Sequence, residues 1–219
     1  MTTGPYTAVI FDMDGVLVDG EPLHFEAVNL LLAEEGRSIS LDQYQPYMGT
    51  KSGWQELIRD FALTRPYAHY RDRYLPLLVE QYRTRSMALP GAIEIVGSLR
   101  RAGVPLALAS SSIRPWVQAA LESIGLDGRF DVVVTGSEIT EGKPDPEIYL
   151  LAASQLGLAP ERCLAIEDAP AGIESAHAAG MHCWAIRTEY TRGLPLPNPE
   201  REFESLVDVE LRDILGVAA

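Results

Sequence analysis

Apolar positions in this chain fall into short unbroken runs rather than alternating ones. They recur at residues 8–11, 104–109, 132–134, 163–166 and 182–186. Runs of this kind predict strands buried on both faces, as in a parallel sheet covered by helices. Between them the apolar positions take the helical period. The helical segments 91–102, 115–124, 146–156 and 170–179 are each followed by a glycine, at Gly103, Gly125, Gly157 and Gly180. Three of them also begin on a proline, at Pro115, Pro146 and Pro170, which is the expected asymmetry of helix ends. Strand and helix in alternation predict an α/β fold with a doubly wound parallel sheet.

Residues 21–86 depart from this rhythm, with helical periodicity and no good strand. Segments 23–33, 41–48, 51–62 and 66–85 predict an all-helical block inserted after the first strand. The expected organisation is a core from residues 1–18 and 87–219 and a helical cap from 19–86. Ligands of open α/β sheets bind at the carboxyl ends of strands, so an insert leaving from that end is expected to act as a lid. The proline-rich stretch 193–199 reads as a stiff surface loop.

Charge and cysteine content narrow the function. Among 219 residues, 18 are basic and 31 acidic, a net charge of −13. That argues against a nucleic-acid or anionic-membrane partner, which would require clustered Lys and Arg. An anionic substrate must then be drawn in by a local positive field. Cys163 and Cys183 have no zinc-type spacing and read as reduced core cysteines. The N-terminal residues lack the pattern of a secretory signal, and no apolar run reaches about 18 residues. The expectation is a cytoplasmic protein, a monomer or weak homodimer.

Candidate chemistry lies where the strands end. After the first come Asp12 and Asp14, then Gly15. Two carboxylates so close repel, and a protein tolerates them mainly where metal or proton chemistry uses them. Ser110, Ser111 and Ser112 follow the second strand ahead of a helix, a ready anion site. Lys143 precedes Pro144 and Pro146, which fix the backbone around its ammonium. Glu167 and Asp168 follow the fourth strand just before Pro170. Each has a plain alternative: serines and acids cap helices, and Lys-Pro is a common turn. Residues 136–143 are one residue too long for a phosphate-binding P-loop, and Pro144 stands where Ser or Thr is needed.

Together, Asp12-x-Asp14-Gly15-Val16, Ser110, Lys143-Pro144 and Glu167-Asp168 resemble the four motifs of the haloacid dehalogenase superfamily. The resemblance extends to about Arg187 and is nearest to phosphatases and β-phosphoglucomutase-like members with a helical cap after the first motif. It implies a Rossmannoid core with an inserted cap, Mg²⁺ as cofactor and a small phosphorylated molecule as substrate. The dehalogenase branch lacks the second acid of the first motif, so Asp14 points to phosphoryl transfer. By the same resemblance Asp12 is the nucleophile and Asp14 the general acid and base. Mg²⁺ is expected on the Asp12 carboxylate, the Asp14 main-chain carbonyl and Asp168, with Glu167 behind them or bound through water. Ser110, the Ser111 amide and Lys143 are expected to hold phosphoryl oxygens. Substrate contacts are expected from Glu21, His24, Thr50 and Lys51 of the cap, with Ser112 and Arg114 of the core. The relevant mutases carry an arginine in the loop corresponding to residues 49–54. Here Lys51 is that loop's only cation. This favours a phosphatase of a sugar or polyol phosphate, with a β-phosphoglucomutase-type mutase as the alternative. All four core motifs are present, which weighs against a non-catalytic scaffold.

Overall fold

A computed structural model describes residues 6–47 and 53–216. The chain divides into two compact units: Met1–Asp19 with Met87–Ala219, and Gly20–Ser86. In the first unit the described strands are β1 (Ala8–Phe11), β2 (Leu106–Ser110), β3 (Val132–Thr135), β4 (Cys163–Glu167), β5 (His182–Ile186) and β6 (Arg201–Phe203). They form one parallel sheet in the order β3-β2-β1-β4-β5-β6. The helical unit holds α1 (Glu21–Ala33), α2 (Leu41–Tyr44), α3 (Gly53–Asp60) and α4 (Tyr67–Arg85). The sheet unit holds α5 (Ala92–Arg101), α6 (Arg114–Ser123), α7 (Glu147–Leu156), α8 (Pro170–Ala178) and α9 (Leu211–Leu215). This is the doubly wound α/β fold.

The strand order fixes where a ligand can sit. From β1 the chain moves outward through β2 to β3, then returns to β4 and continues to β5 on the other side. Connections therefore leave the neighbours β1 and β4 in opposite directions, which opens a crevice at their carboxyl ends. One face of the sheet is lined by small residues: Ala8, Ala107, Ala109, Ala165 and Ala185 pack with Ile148, Tyr149, Ala152 and Ala153 of α7 and with Ile173 and Ala176 of α8. Successive strand residues alternate faces. Asp12, two residues on from Ile10, and Glu167, two on from Ala165, thus share the α7 face.

The strands depart from the sequence expectation in places; β2 and β3 each run one residue further, to Ser110 and Thr135. β2 starts at Leu106 rather than at residue 104, because Pro105 has no amide for the ladder, although its carbonyl accepts from Val9 N–H at 3.1 Å. β4 runs one residue further, so Glu167 is the last residue of a strand. β6 was not expected at all: Arg-Glu-Phe has no apolar run, and its two exposed charges suit an edge strand. Arg201 lies over the Trp184 and Phe203 rings at 4.9 and 4.7 Å. The stretch 193–199 carries no helix or strand.

Where the chain leaves the sheet unit and where it re-enters, the two strands of backbone meet. Val18 bridges Ala88 in antiparallel sense, and Leu89 N–H donates to the Leu17 carbonyl at 2.9 Å. Inside the helical unit Val28, Leu31, Leu32, Ile39, Tyr44, Leu57, Leu63 and Tyr70 form a separate apolar core. Trp54 stacks on Tyr70 with ring centroids 5.0 Å apart. At its margin Glu35 accepts from Tyr70 Oη, from Thr64 N and Oγ1 (both 2.7 Å) and from Arg65 N (3.3 Å).

The Tyr70 hydroxyl first, and then the Thr64 donors, hold the Glu35 carboxyl down to about 2. A carboxyl depressed on folding stabilises the fold above its ordinary range and ceases to do so as pH falls toward the folded value. Glu35→Gln should therefore lower the melting temperature near neutrality and flatten its decline between about pH 4.5 and 2, as read by thermal unfolding in a pH series.

Candidate active site

β1 delivers Asp12 to the crevice, and Asp12 N–H continues the ladder to the Ile166 carbonyl at 2.9 Å. The backbone then turns through Gly15, whose φ of +83° lies in the left-handed region. A Cβ on Gly15 would overlap the Asp168 carboxylate. Glycine here meets two demands, a turn that other residues resist and the close approach of an acid. Asp14 is held from another strand's loop: Ser112 Oγ donates to Asp14 Oδ2 at 3.0 Å.

Lys143 arrives on the loop between β3 and α7, where its peptide bond to Pro144 is cis. Its ammonium donates to Asp12 Oδ1 at 2.5 Å, Glu167 Oε1 at 2.5 Å and the Ala109 carbonyl at 3.1 Å. All three ammonium hydrogens are thereby used. Burial pulls this lysine's pKa down, but the carboxylates of Asp12 and Glu167 outweigh it and the net direction is up. Glu167 is buried and equally well partnered. Oε1 also accepts from Tyr149 Oη at 2.9 Å, and Oε2 accepts the amides of Asp168 at 2.9 Å and Ala169 at 3.1 Å.

Asp12, Glu167 and Asp168 each bring a carboxylate oxygen to within 4.8 Å of the other two. Fully ionised, the three carboxylates against the Lys143 ammonium would carry a net charge of −2 in a largely buried space. Burial, then Glu167 and its neighbours, push Asp168 well above the carboxylate range. Burial likewise raises Asp12, opposed by Lys143 and reinforced by Glu167. An all-oxygen, electron-rich pocket short of positive charge suits a hard divalent cation. The cluster is able to hold one.

On the β2 side Ser110 is buried at the strand end, and its Oγ accepts Ser112 N–H at 3.1 Å. The Gly136 amide pins the same loop by donating to the Ser112 carbonyl at 2.9 Å. Ser111 is exposed between them. Arg114 is directed elsewhere: its Nε pairs with Glu138 Oε1 at 2.7 Å and its Nη2 donates to the Val133 carbonyl at 2.9 Å. Its charge is paired along β3 rather than with the serine loop.

Glu21 and His24 lie on α1 in the helical unit. His24 Nδ1 meets the Tyr74 hydroxyl at 2.7 Å and Nε2 the Tyr82 hydroxyl at 3.0 Å. A neutral imidazole has one donor and one acceptor nitrogen, so both ring positions are engaged within that unit. Thr50 and Lys51 lie outside the described residues.

Sequence reading missed Tyr149 and Gly172. A Cβ on Gly172 would overlap the Glu167 carboxylate. Tyr149 carried a signal, being the one polar-tipped ring in the apolar run 148–153; a buried tyrosine hydroxyl normally has a partner. No described helix is long and apolar enough to cross a membrane.

Residues 6–180 match the family model for haloacid dehalogenase-like hydrolases. The chain belongs to that family. It is 35% identical over 179 residues to the phosphorylated carbohydrates phosphatase of Thermotoga maritima, covering 80% of this chain and 82% of the relative. It is 32% identical over 221 residues to SUPPRESSOR OF QUENCHING 1, chloroplastic, of Arabidopsis thaliana; the match takes in 97% of this chain but only 21% of that longer protein. Among solved structures, CbbY from Rhodobacter sphaeroides in complex with phosphate superposes with a TM-score of 0.85 at 27% identity. It covers 95% of this chain and 99% of the other. Divalent metal use is general in this hydrolase family, in keeping with the acidic cluster.

Gly172→Ala should move the Glu167 carboxylate. Overpacking costs about 1–3 kcal/mol, more than the roughly 1 kcal/mol of helix propensity that alanine adds. A lower melting temperature in calorimetry is the expected outcome.

Proposed function

We propose that this chain is a Mg²⁺-dependent phosphatase that hydrolyses a small phosphorylated carbohydrate, a sugar or polyol phosphate, through an aspartyl-phosphate on Asp12. The observation that carries the reading is Lys143 held between Asp12 and Glu167 at the β1–β4 crevice, beside an Asp14 oriented by Ser112. The name of the Thermotoga relative supports the substrate class and favours hydrolysis over mutase chemistry.

Asp12 Oδ attacks phosphorus in line; the Asp12–phosphorus bond forms as the ester P–O bond breaks. Asp14 gives its proton to the leaving alkoxide oxygen. In the second half it takes a proton from the water whose oxygen attacks phosphorus, which releases phosphate and restores the Asp12 carboxylate. The Ser110 hydroxyl and the Ser111 amide receive the phosphoryl oxygens, and the Lys143 ammonium beside them offsets their charge. Glu167 has both oxygens engaged by four donors. Asp12 and Asp168, with the Asp14 main-chain carbonyl, are then the groups that would hold Mg²⁺. When bound it would neutralise charge on the cluster and on the phosphoryl oxygens.

Asp12→Asn should abolish release of phosphate from an aryl phosphate. Lys143→Ala should lower kcat by about 10²- to 10³-fold, as for loss of one oxyanion donor. A phosphate-release assay measures both, and full turnover by Asp12→Asn would refute the covalent mechanism. Chelation with EDTA should stop turnover and added Mg²⁺ restore it. Across sugar phosphates, polyol phosphates, phosphoglycolate and nucleoside monophosphates, the carbohydrate esters should show the highest kcat/KM. With β-glucose 1-phosphate and a trace of its bisphosphate, the expected product is free phosphate; net glucose 6-phosphate would mark a mutase.

A further inference from the structure

We infer that Tyr149 is a positioning residue of the phosphoryl site, acting through Glu167 to set where the Lys143 ammonium sits; this rests on the phosphatase reading above. Tyr149 reaches the site from α7, across a sheet face whose strand residues are mostly alanine, and small residues there leave room for its ring. Its hydroxyl donates to Glu167 Oε1 at 2.9 Å, the same oxygen that takes Lys143 at 2.5 Å. Lys143 Nζ also lies 5.1 Å from the centre of the Tyr149 ring. One side chain thus touches both halves of the buried ion pair.

The division of labour at Glu167 follows from its two oxygens. Oε2 is fixed to the backbone by the amides of Asp168 and Ala169. Oε1 is shared between an ammonium and a phenol. Donors that share one carboxylate oxygen compete for its two lone pairs, so each is drawn less strongly than it would be alone. The phenol therefore tempers the pull of Glu167 on Lys143. It keeps the ammonium poised toward Asp12, 2.5 Å away on its other side, where phosphoryl oxygens would arrive. Without the hydroxyl, Oε1 would keep Lys143 as its partner and draw the ammonium away from Asp12.

Tyr149→Phe keeps the ring over the ammonium and removes the donor alone. With Mg²⁺ present, the dissociation constant for inorganic phosphate, measured by calorimetry, should rise about 10-fold. The value of kcat for the best ester should fall by a similar factor, the usual scale for losing a partner behind a ligating group. Ile148→Val, on the same helix and in the core, should lower the melting temperature and leave phosphate affinity unchanged. Equal phosphate affinity and kcat in wild type and Tyr149→Phe would overturn the inference while leaving the phosphatase reading intact. A wild-type protein that hydrolyses no phosphate ester would overturn the reading itself. If Tyr149→Phe does not fold, 3-fluorotyrosine at position 149 decides. It is nearly the same size and a stronger donor, so phosphate should bind about 2-fold more tightly; unchanged binding would sink the inference.

Discussion

Two buried acids, Asp12 and Glu167, meet one lysine beside the half-buried Asp168 at the ends of two neighbouring strands, and the rest of the sheet unit is arranged to make that tolerable. Like charges so placed repel strongly at low dielectric, and removing one partner of a buried pair typically costs about 3–5 kcal/mol. Lys143 reduces the repulsion by bonding Asp12 and Glu167 at once. The amides opening α8 take the second oxygen of Glu167. What is left is an unbalanced negative charge facing the crevice. A structure built for stability alone would replace these groups with apolar ones; their retention is what marks the place as chemical.

The fold positions this charge without a long-range device. Parallel register sets Phe11 beside Ile166, so the next residue of each strand, Asp12 and Glu167, emerges at the same level. The switch in winding direction between β1 and β4 keeps connecting loops off that spot. Phosphate-binding candidates arrive from β2, and the lysine from the loop after β3. Four chain segments converge because four strand ends do.

Much of this was legible in the residues. Apolar runs located β1 to β5, and the glycines after the helices take left-handed backbone, as their positions suggested. Asp12, Lys143, Glu167 and Asp168 stood out as charges at strand ends, and the structure brings them together. The rest depends on information that local pattern does not contain. β6 is held by pairing with β5 and by cation–π contact of Arg201, neither of which leaves a periodic signal in three residues. The direction taken by Arg114 is set by Glu138, and the partners of His24 by two tyrosines on α4, 50 and 58 residues away. The polar tip of Tyr149 signals a need for a partner, but local pattern does not name that partner, because Glu167 comes from the strand that follows its helix.

The bridge between Val18 and Ala88 has a consequence for how such proteins diversify. Because the departing and returning segments are stitched side by side, the span that the inserted helices must cover is nearly zero, whatever their number or length. Substitution, lengthening or wholesale exchange of the insert then leaves the spacing between the first acidic loop and the second strand untouched. The insert is free to vary while the strand ends that carry the acids stay in register.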